Sequence, residues 1–359
     1  MPKASYVPTL DGWRAIALLA VFFSHGVDRK LYPCSDQVGH LGVELFFGIS
    51  GFLITYHMVE EWKRTGGVSL SRFYVRRAFR ILPIALVFLA TISLLGHIGV
   101  ISLAGSRIPQ ALFFASNYTR MDWAQPGSWY TAQFWSLCVE EHFYLIWPAL
   151  LVLVGLHRAR WVAPALAGSL MVWHILDERF DFVANAFHAP YLSHNHFRTD
   201  YEAYVLMLGC TLALWLGHQP WDRKALRGCT TWIALALCAF VGFGSFSPAF
   251  RHAENFVAIS LVLLIAITIT DSESLIGRFL DMKPLAMIGR LSYSLYIWQQ
   301  LFLLRDYAPL SFQREPWNLV SILACSYVSY HAVEQPAIKV GREFIARSLA
   351  KEKTELITL

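Results

Sequence analysis

Ten apolar runs punctuate the chain, at 11–28, 41–60, 80–97, 136–156, 161–176, 203–217, 230–247, 256–270, 285–304 and 317–334, separated by polar connections. An α-helix climbs about 1.5 Å per residue, so about 20 apolar residues cross the hydrocarbon core of a bilayer. The pattern predicts an all-α polytopic integral membrane protein with about ten transmembrane helices. The first run has the length of a secretory signal. It lacks a small-residue cleavage motif and carries Arg14 and His25, so it is expected to stay as the first helix.

Composition agrees. Of 359 residues 56% are hydrophobic and 15% charged, with a mean hydropathy of +0.44, too greasy for a soluble chain of this length. Placing the N-terminus in the cytoplasm puts 19 of the 30 basic residues in cytoplasmic loops or the tail, and nine, Arg198 among them, in outward loops. That excess predicts both termini inside the cell. The net charge of +5 follows from this asymmetry, so no nucleic-acid partner is expected. Six cysteines (34, 138, 210, 229, 238, 325) show no C-x-x-C spacing, and neither a disulfide framework nor a zinc motif is indicated.

Residues 1–338 read as one membrane domain and 339–359 as a short cytoplasmic tail. With a tail of that size no appended catalytic domain is expected, and any chemistry is expected in the helices and their loops. Two outward loops are long: 98–135, with Trp123, Trp129, Tyr130 and Trp135, and 177–202, with Asp177, Glu178, Asp181, His188, His194, His196 and Asp200. Loops of this length in compact domains tend to be functional or partly buried. No 20–50 residue repeat is visible, which counts against a transporter built by internal duplication. Nothing in the sequence sets the oligomeric state.

Candidate chemistry starts in the first helix. Arg14 and His25 are eleven residues apart, so they share a face, within about 20°, at depths roughly 16 Å apart. A charge near the bilayer centre costs about 2.5–3.5 kcal/mol, and such groups usually face a protein-lined cavity. The plainer alternative pairs Arg14 with Asp11 and leaves His25 as a satisfied core residue. The second helix adds Glu44 and a small-residue seam; its Gly48-x-Ser50-Gly51 is not the G-x-S-x-G elbow of hydrolases. Ahead of the third helix, Arg77 and Arg80 can neighbour each other and, with Arg76, would suit paired phosphate oxygens. Ordinary positive-inside topology explains the same arginines equally well. In the fourth helix Ser136, Glu140, Tyr144 and Trp147 share a face, while Glu141 points about 100° away. One carboxylate is expected to face the cavity, with Glu140 favoured, at a depth similar to that of His25.

Six segments in order, Leu10 to Ala17 with His25, Gly42 to Ile54, Phe73 to Pro83, Trp135 to Pro148, Leu291 to Gln299 and Tyr330 to Pro336, together resemble the acyltransferase-3 family of integral membrane acyltransferases. The resemblance implies about ten helices and transfer of acyl groups, commonly acetyl from acetyl-CoA, to extracytoplasmic carbohydrates. The family's basic-x10-His pattern falls on Arg14 and His25. Its R-x-x-R pattern, associated with the acyl donor, falls on Arg77 and Arg80. Members often carry Gln where this chain has His142, and His where it has Gln299. Some add a C-terminal esterase-like domain, which is not expected here.

Together these readings predict an O-acyltransferase. Acetyl-CoA is the co-substrate, held by Arg76, Arg77 and Arg80 with help from Arg14, and no metal is expected. His25 serves as general base or acyl carrier, and Glu140 or Glu141 orients it. Asp11, Glu44, Trp135, Ser136 and Tyr296 support the site. The acceptor is an extracytoplasmic glycan or glycolipid, and membrane lipid surrounds the whole. Two rivals are a flippase for a lipid-linked sugar and a metal enzyme using His188, His194 and His196; the latter lack a tetrahedral ligand set.

Overall fold

The computed structural model describes residues 7–120, 125, 127–193, 195, 197–216, 230–246, 254–304 and 310–358. Its long helices are α1 (Pro8–Gly26), α2 (Ser35–Thr65), α3 (Leu70–His97), α4 (Phe134–Val154), α5 (Leu156–Phe180), α6 (Thr199–Leu216), α7 (Thr230–Phe246), α8 (Glu254–Thr270), α9 (Lys283–Phe302), α10 (Trp317–Ser329) and α11 (Gln335–Thr358). No strand occurs among the described residues. Among the described residues, each of the ten apolar runs overlaps a helix. Ser35–Thr65, Leu70–His97 and Ser128–Val154 are long and apolar enough to cross a membrane by length and composition.

Local chemistry sets the ends. Pro8 begins α1, where its missing N–H costs nothing, and Asp11 and His25 complement the helix dipole at opposite ends. Gly66 closes α2 at φ 74°, and the Ser69 hydroxyl accepts the Arg72 N–H to start α3. Helices α2 and α3 begin well before their apolar runs because hydropathy marks only the greasy part of a helix. The tenth run also differs from a simple span. Its helix stops at Ser329, passes through a π-helical turn at Tyr330–Glu334 and continues as α11.

The chain forms two compact units, one comprising Met1–Val68, Phe114–Met121 and Phe134–Ser292, the other Ser69–Phe113, Asp122–Gln133 and Tyr293–Leu359. In the first unit α2 lies between α1 and α6. A Cβ on Gly51 would collide with the Leu206 carbonyl and one on Gly209 with the Gly48 carbonyl, so α2 and α6 touch backbone to backbone. Gly42 packs on the Ala17 carbonyl in the same way and Gly39 on the Ser24 side chain, joining α1 to α2. Buried indole donors are satisfied: Trp13 Nε1 donates to Thr268 Oγ1 at 2.9 Å and Trp147 Nε1 to Thr55 Oγ1 at 2.8 Å. Replacing Gly51 with Val is expected to lower thermal stability by about 1–3 kcal/mol through overpacking. Unfolding of the detergent-solubilised protein measures it, and an unchanged midpoint would show that the seam tolerates separation.

The second unit is built on α3, the C-terminal part of α9, α10 and α11. The Tyr293 hydroxyl donates to the Ile81 carbonyl at 2.7 Å, the Ser294 hydroxyl to Glu334 Oε2 at 2.9 Å, and the Trp298 ring meets Phe88 edge to face at 5.7 Å. The π-helical turn thus holds a buried carboxylate, 3% exposed, that receives a hydroxyl donor inside the helix packing.

Candidate active site

Two sets of polar contacts fix how the helices of the first unit run. Ser50 Oγ pairs with Glu140 and Thr55 with Trp147, so α2 and α4 are parallel. His40 pairs with Glu202 and Glu44 with Tyr204, so α2 and α6 are parallel as well. The C-terminal end of α1 and the N-terminal ends of α2, α4 and α6 therefore meet at one end of this unit.

His25 occupies that end, half-buried in the last turn of α1 and next to the Ser24–Gly39 contact. Arg14, deeper along α1, is paired with Asp11: Nη1 to Oδ1 is 3.2 Å, with side chains 20% and 7% exposed. Asp11 also sits where α1 crosses α9, its carbonyl directly over Gly289.

Glu140 is held at both carboxylate oxygens, by the Ser50 hydroxyl at 2.9 Å and the Tyr144 hydroxyl at 2.7 Å. Ser136, Tyr144 and Trp147, on the same face, are buried. Ser50 thus serves as a hydrogen-bond donor to a carboxylate. Eleven residues separate Gly39 from Ser50, so Glu140 lies roughly 16 Å further along α2 than the His25 contact. The expectation of a similar depth fails because α4 enters the packing lower against α2 than counting inward from its sequence boundary implies. Glu141 is half-buried beside this face, and His142 Nδ1 lies 2.7 Å from Thr199 Oγ1. Glu44, 2% exposed, accepts from the Tyr204 hydroxyl at 3.4 Å. Trp135 packs against Phe197, ring centroids 4.7 Å apart, and edge-on to Phe47 at 6.1 Å.

The loops at this end are anchored by Arg198. Read as an outward loop charge, it is fully buried: Nη2 stands 2.8 Å from Asp177 and 2.6 Å from Asp200, and Nη1 donates to the Leu192 carbonyl at 3.0 Å. Trp173 Nε1 and the Tyr118 hydroxyl also donate to Asp200, at 2.9 and 3.1 Å. Asp200 lies in the first turn of α6, ahead of its apolar run. Burial opposes its ionisation, but these donors, Arg198 foremost, outweigh that and hold its pKa below the ordinary value. Burial, then the Asp200 charge, pushes the Tyr118 phenol up.

In the second unit Arg76 is exposed on the first turns of α3, while Arg77 and Arg80 are half-buried. The Arg77 guanidinium lies 5.8 Å from the Phe73 ring centroid. Tyr296 is buried and its hydroxyl donates to the Gln133 carbonyl at 3.4 Å, which makes it a packing residue of this unit. Trp123, His194, His196 and Cys229 lie outside the described residues. Among the described residues no three metal-ligating side chains gather. The pairs His40–Glu202 and Ser50–Glu140 and the Arg198 network were not singled out from the sequence. Extending α2 back to Ser35 would have placed His40 one turn from Glu44, on the same face.

Apolar helices, buried carboxylates and an imidazole where helix ends converge define an all-helical integral membrane protein with the makings of an enzyme site. The chain belongs to the acyltransferase-3 family, whose acyltransferase-domain model matches residues 7–329. It is 29% identical to the peptidoglycan O-acetyltransferase OatA of Listeria monocytogenes, over 94% of this chain and 56% of that protein. It is 28% identical to an O-acetyltransferase OatA of Staphylococcus aureus, over 99% of this chain and 61% of that protein. The chain thus spans less than two thirds of the length of these curated relatives. No solved structure matches it.

Proposed function

We propose that this chain is an O-acetyltransferase of the bacterial inner membrane, moving acetyl from cytoplasmic acetyl-CoA to a hydroxyl of an extracytoplasmic cell-wall glycan, with peptidoglycan as the first acceptor to test. The observation that carries this reading is a half-buried imidazole where α1 meets α2, inside a chain matched by the acyltransferase domain over residues 7–329. In this reading ten helices cross the bilayer, both termini are cytoplasmic and the convergent helix ends face outward.

The donor's phosphates are bound by Arg77 and Arg80, with Arg76 at the rim. A guanidinium fork matches pairs of phosphate oxygens, and the Phe73 ring holds the Arg77 side chain in place. Arg14, tied to Asp11, keeps a fixed positive charge deeper in the helices. The acceptor hydroxyl gives its proton to His25 as its oxygen attacks the thioester carbon. The C–S bond then breaks, and the CoA thiolate takes the proton back from the imidazolium. An imidazole can both take up and return a proton at neutral pH, as these two steps require. Glu140, locked by Ser50 and Tyr144, and Glu141 beside it line the path below His25.

Replacing Arg77 and Arg80 together with Ala is expected to weaken CoA binding by about 10- to 100-fold, as for loss of one or two charge-assisted contacts. Equilibrium binding of CoA to detergent-solubilised protein measures this. Unchanged affinity would return these arginines to a purely topological role.

A further inference from the structure

We propose that His40, braced by the buried Glu202, is a hydrogen-bonding subsite for the acceptor's sugar hydroxyls beside His25; this rests on the acetyl-transfer reading above. The argument begins with helix register. Ser24 and Gly39 are the facing residues of the antiparallel α1–α2 contact. In an antiparallel pair, the residues one position past such a contact rotate about 100° in opposite senses viewed from one end. Both therefore turn to the same side of the pair, at levels about 3 Å apart. Those two residues are His25 and His40.

The second observation is the company His40 keeps. Its Nε2 stands 3.8 Å from Glu202 Oε1, an electrostatic pairing longer than a hydrogen bond, and the side chains are 34% and 3% exposed. A buried carboxylate thus faces an imidazole that reaches the surface, the arrangement by which an acid orients a ring for work at its other edge. The helical turn that carries Glu202 is anchored by its neighbours. Glu202 lies one turn from Thr199, which is bonded to His142 and Asn117, and next to the Arg198–Asp200 pair.

The local charge favours hydroxyls over phosphates. Glu44 and Glu202 are both 2% exposed and line the α2–α6 seam beneath this end. Two carboxylates repel the polyanionic donor but accept hydrogen bonds from neutral sugar hydroxyls, which an imidazole can bind as donor or acceptor. His40 is therefore assigned to the acceptor, as Arg77 and Arg80 are to the donor.

The test uses membranes containing the full chain, with labelled acetyl-CoA and soluble fragments of digested peptidoglycan as the acceptor probe. Replacing His40 with Ala is expected to raise the KM for the fragments about ten-fold, the loss of one hydrogen bond, with the KM for acetyl-CoA unchanged. His40→Gln, which keeps a donor and an acceptor, should recover most of the loss. An unchanged fragment KM overturns the subsite. So does a parallel rise in both KM values with a lowered thermal midpoint in both variants, which would mark His40 as a packing residue. A wild-type chain that acetylates no fragment sinks the acetyl-transfer reading and the subsite with it, whereas normal transfer by His40→Ala sinks the subsite alone.

Discussion

Replacing His25 with Ala is expected to lower acetyl transfer by about 10²- to 10⁴-fold, the usual contribution of a positioned general base. The effect should fall on turnover, because the donor's phosphates are assigned to Arg77 and Arg80. CoA affinity is therefore expected to stay within about two-fold of wild type. Stability should change little, since His25 lies half-buried in the last turn of α1 and is not itself one of the residues in the glycine contacts that join α1 to α2. Steady-state transfer of labelled acetyl, run beside CoA binding and thermal unfolding, separates these outcomes. Transfer at the wild-type rate would remove His25 from the chemistry, and a matching loss of stability would make it structural.

Arg198→Met is expected to have the largest effect on stability, about 3–5 kcal/mol. Removing one partner of a buried ion pair leaves the other charge stranded. Asp177, 3% exposed, would lose its partner at 2.8 Å, and the Leu192 carbonyl would lose its donor. Lysine should not rescue, because it lacks the planar fork that spans two carboxylates and a carbonyl. Thermal unfolding of the Arg198→Met protein tests this, and a midpoint near wild type would show that the loops at this end of the first unit are held some other way. Asp200 adds a pH signature. Its folded pKa is lowered, so its share of the stability is complete above the ordinary carboxylate range and is lost as pH falls through the lower folded value. Acid unfolding of the Asp200→Asn protein should lack that component.

Much of the fold is legible from hydropathy alone, since each apolar run lies on a helix. Helix ends are not, because hydropathy does not register turns such as Ser35–His40 or Leu70–Phe79, which continue a helix in polar sequence. The Tyr144–Glu140 bond follows from i,i+4 spacing and could be anticipated. The Ser50–Glu140 and His40–Glu202 pairs could not, because they depend on how α2 is set against α4 and α6. For α2 and α6 that setting is fixed by backbone contacts at Gly48, Gly51 and Gly209; the small-residue seam shows in the sequence, but the helix it packs against does not. Arg198 was misread for a related reason. A loop charge is taken as solvated until the carboxylates that bury it are known, and Asp177 and Asp200 come from the ends of two different helices.

The central claim is that acetyl enters from one face of the membrane and leaves on the other. Inside-out vesicles carrying the chain, with peptidoglycan fragments trapped in the lumen and labelled acetyl-CoA added outside, test it most directly. The account predicts label in the trapped fragments, and none when His25 is Ala. Label appearing only in fragments supplied on the same side as the acetyl-CoA would contradict it.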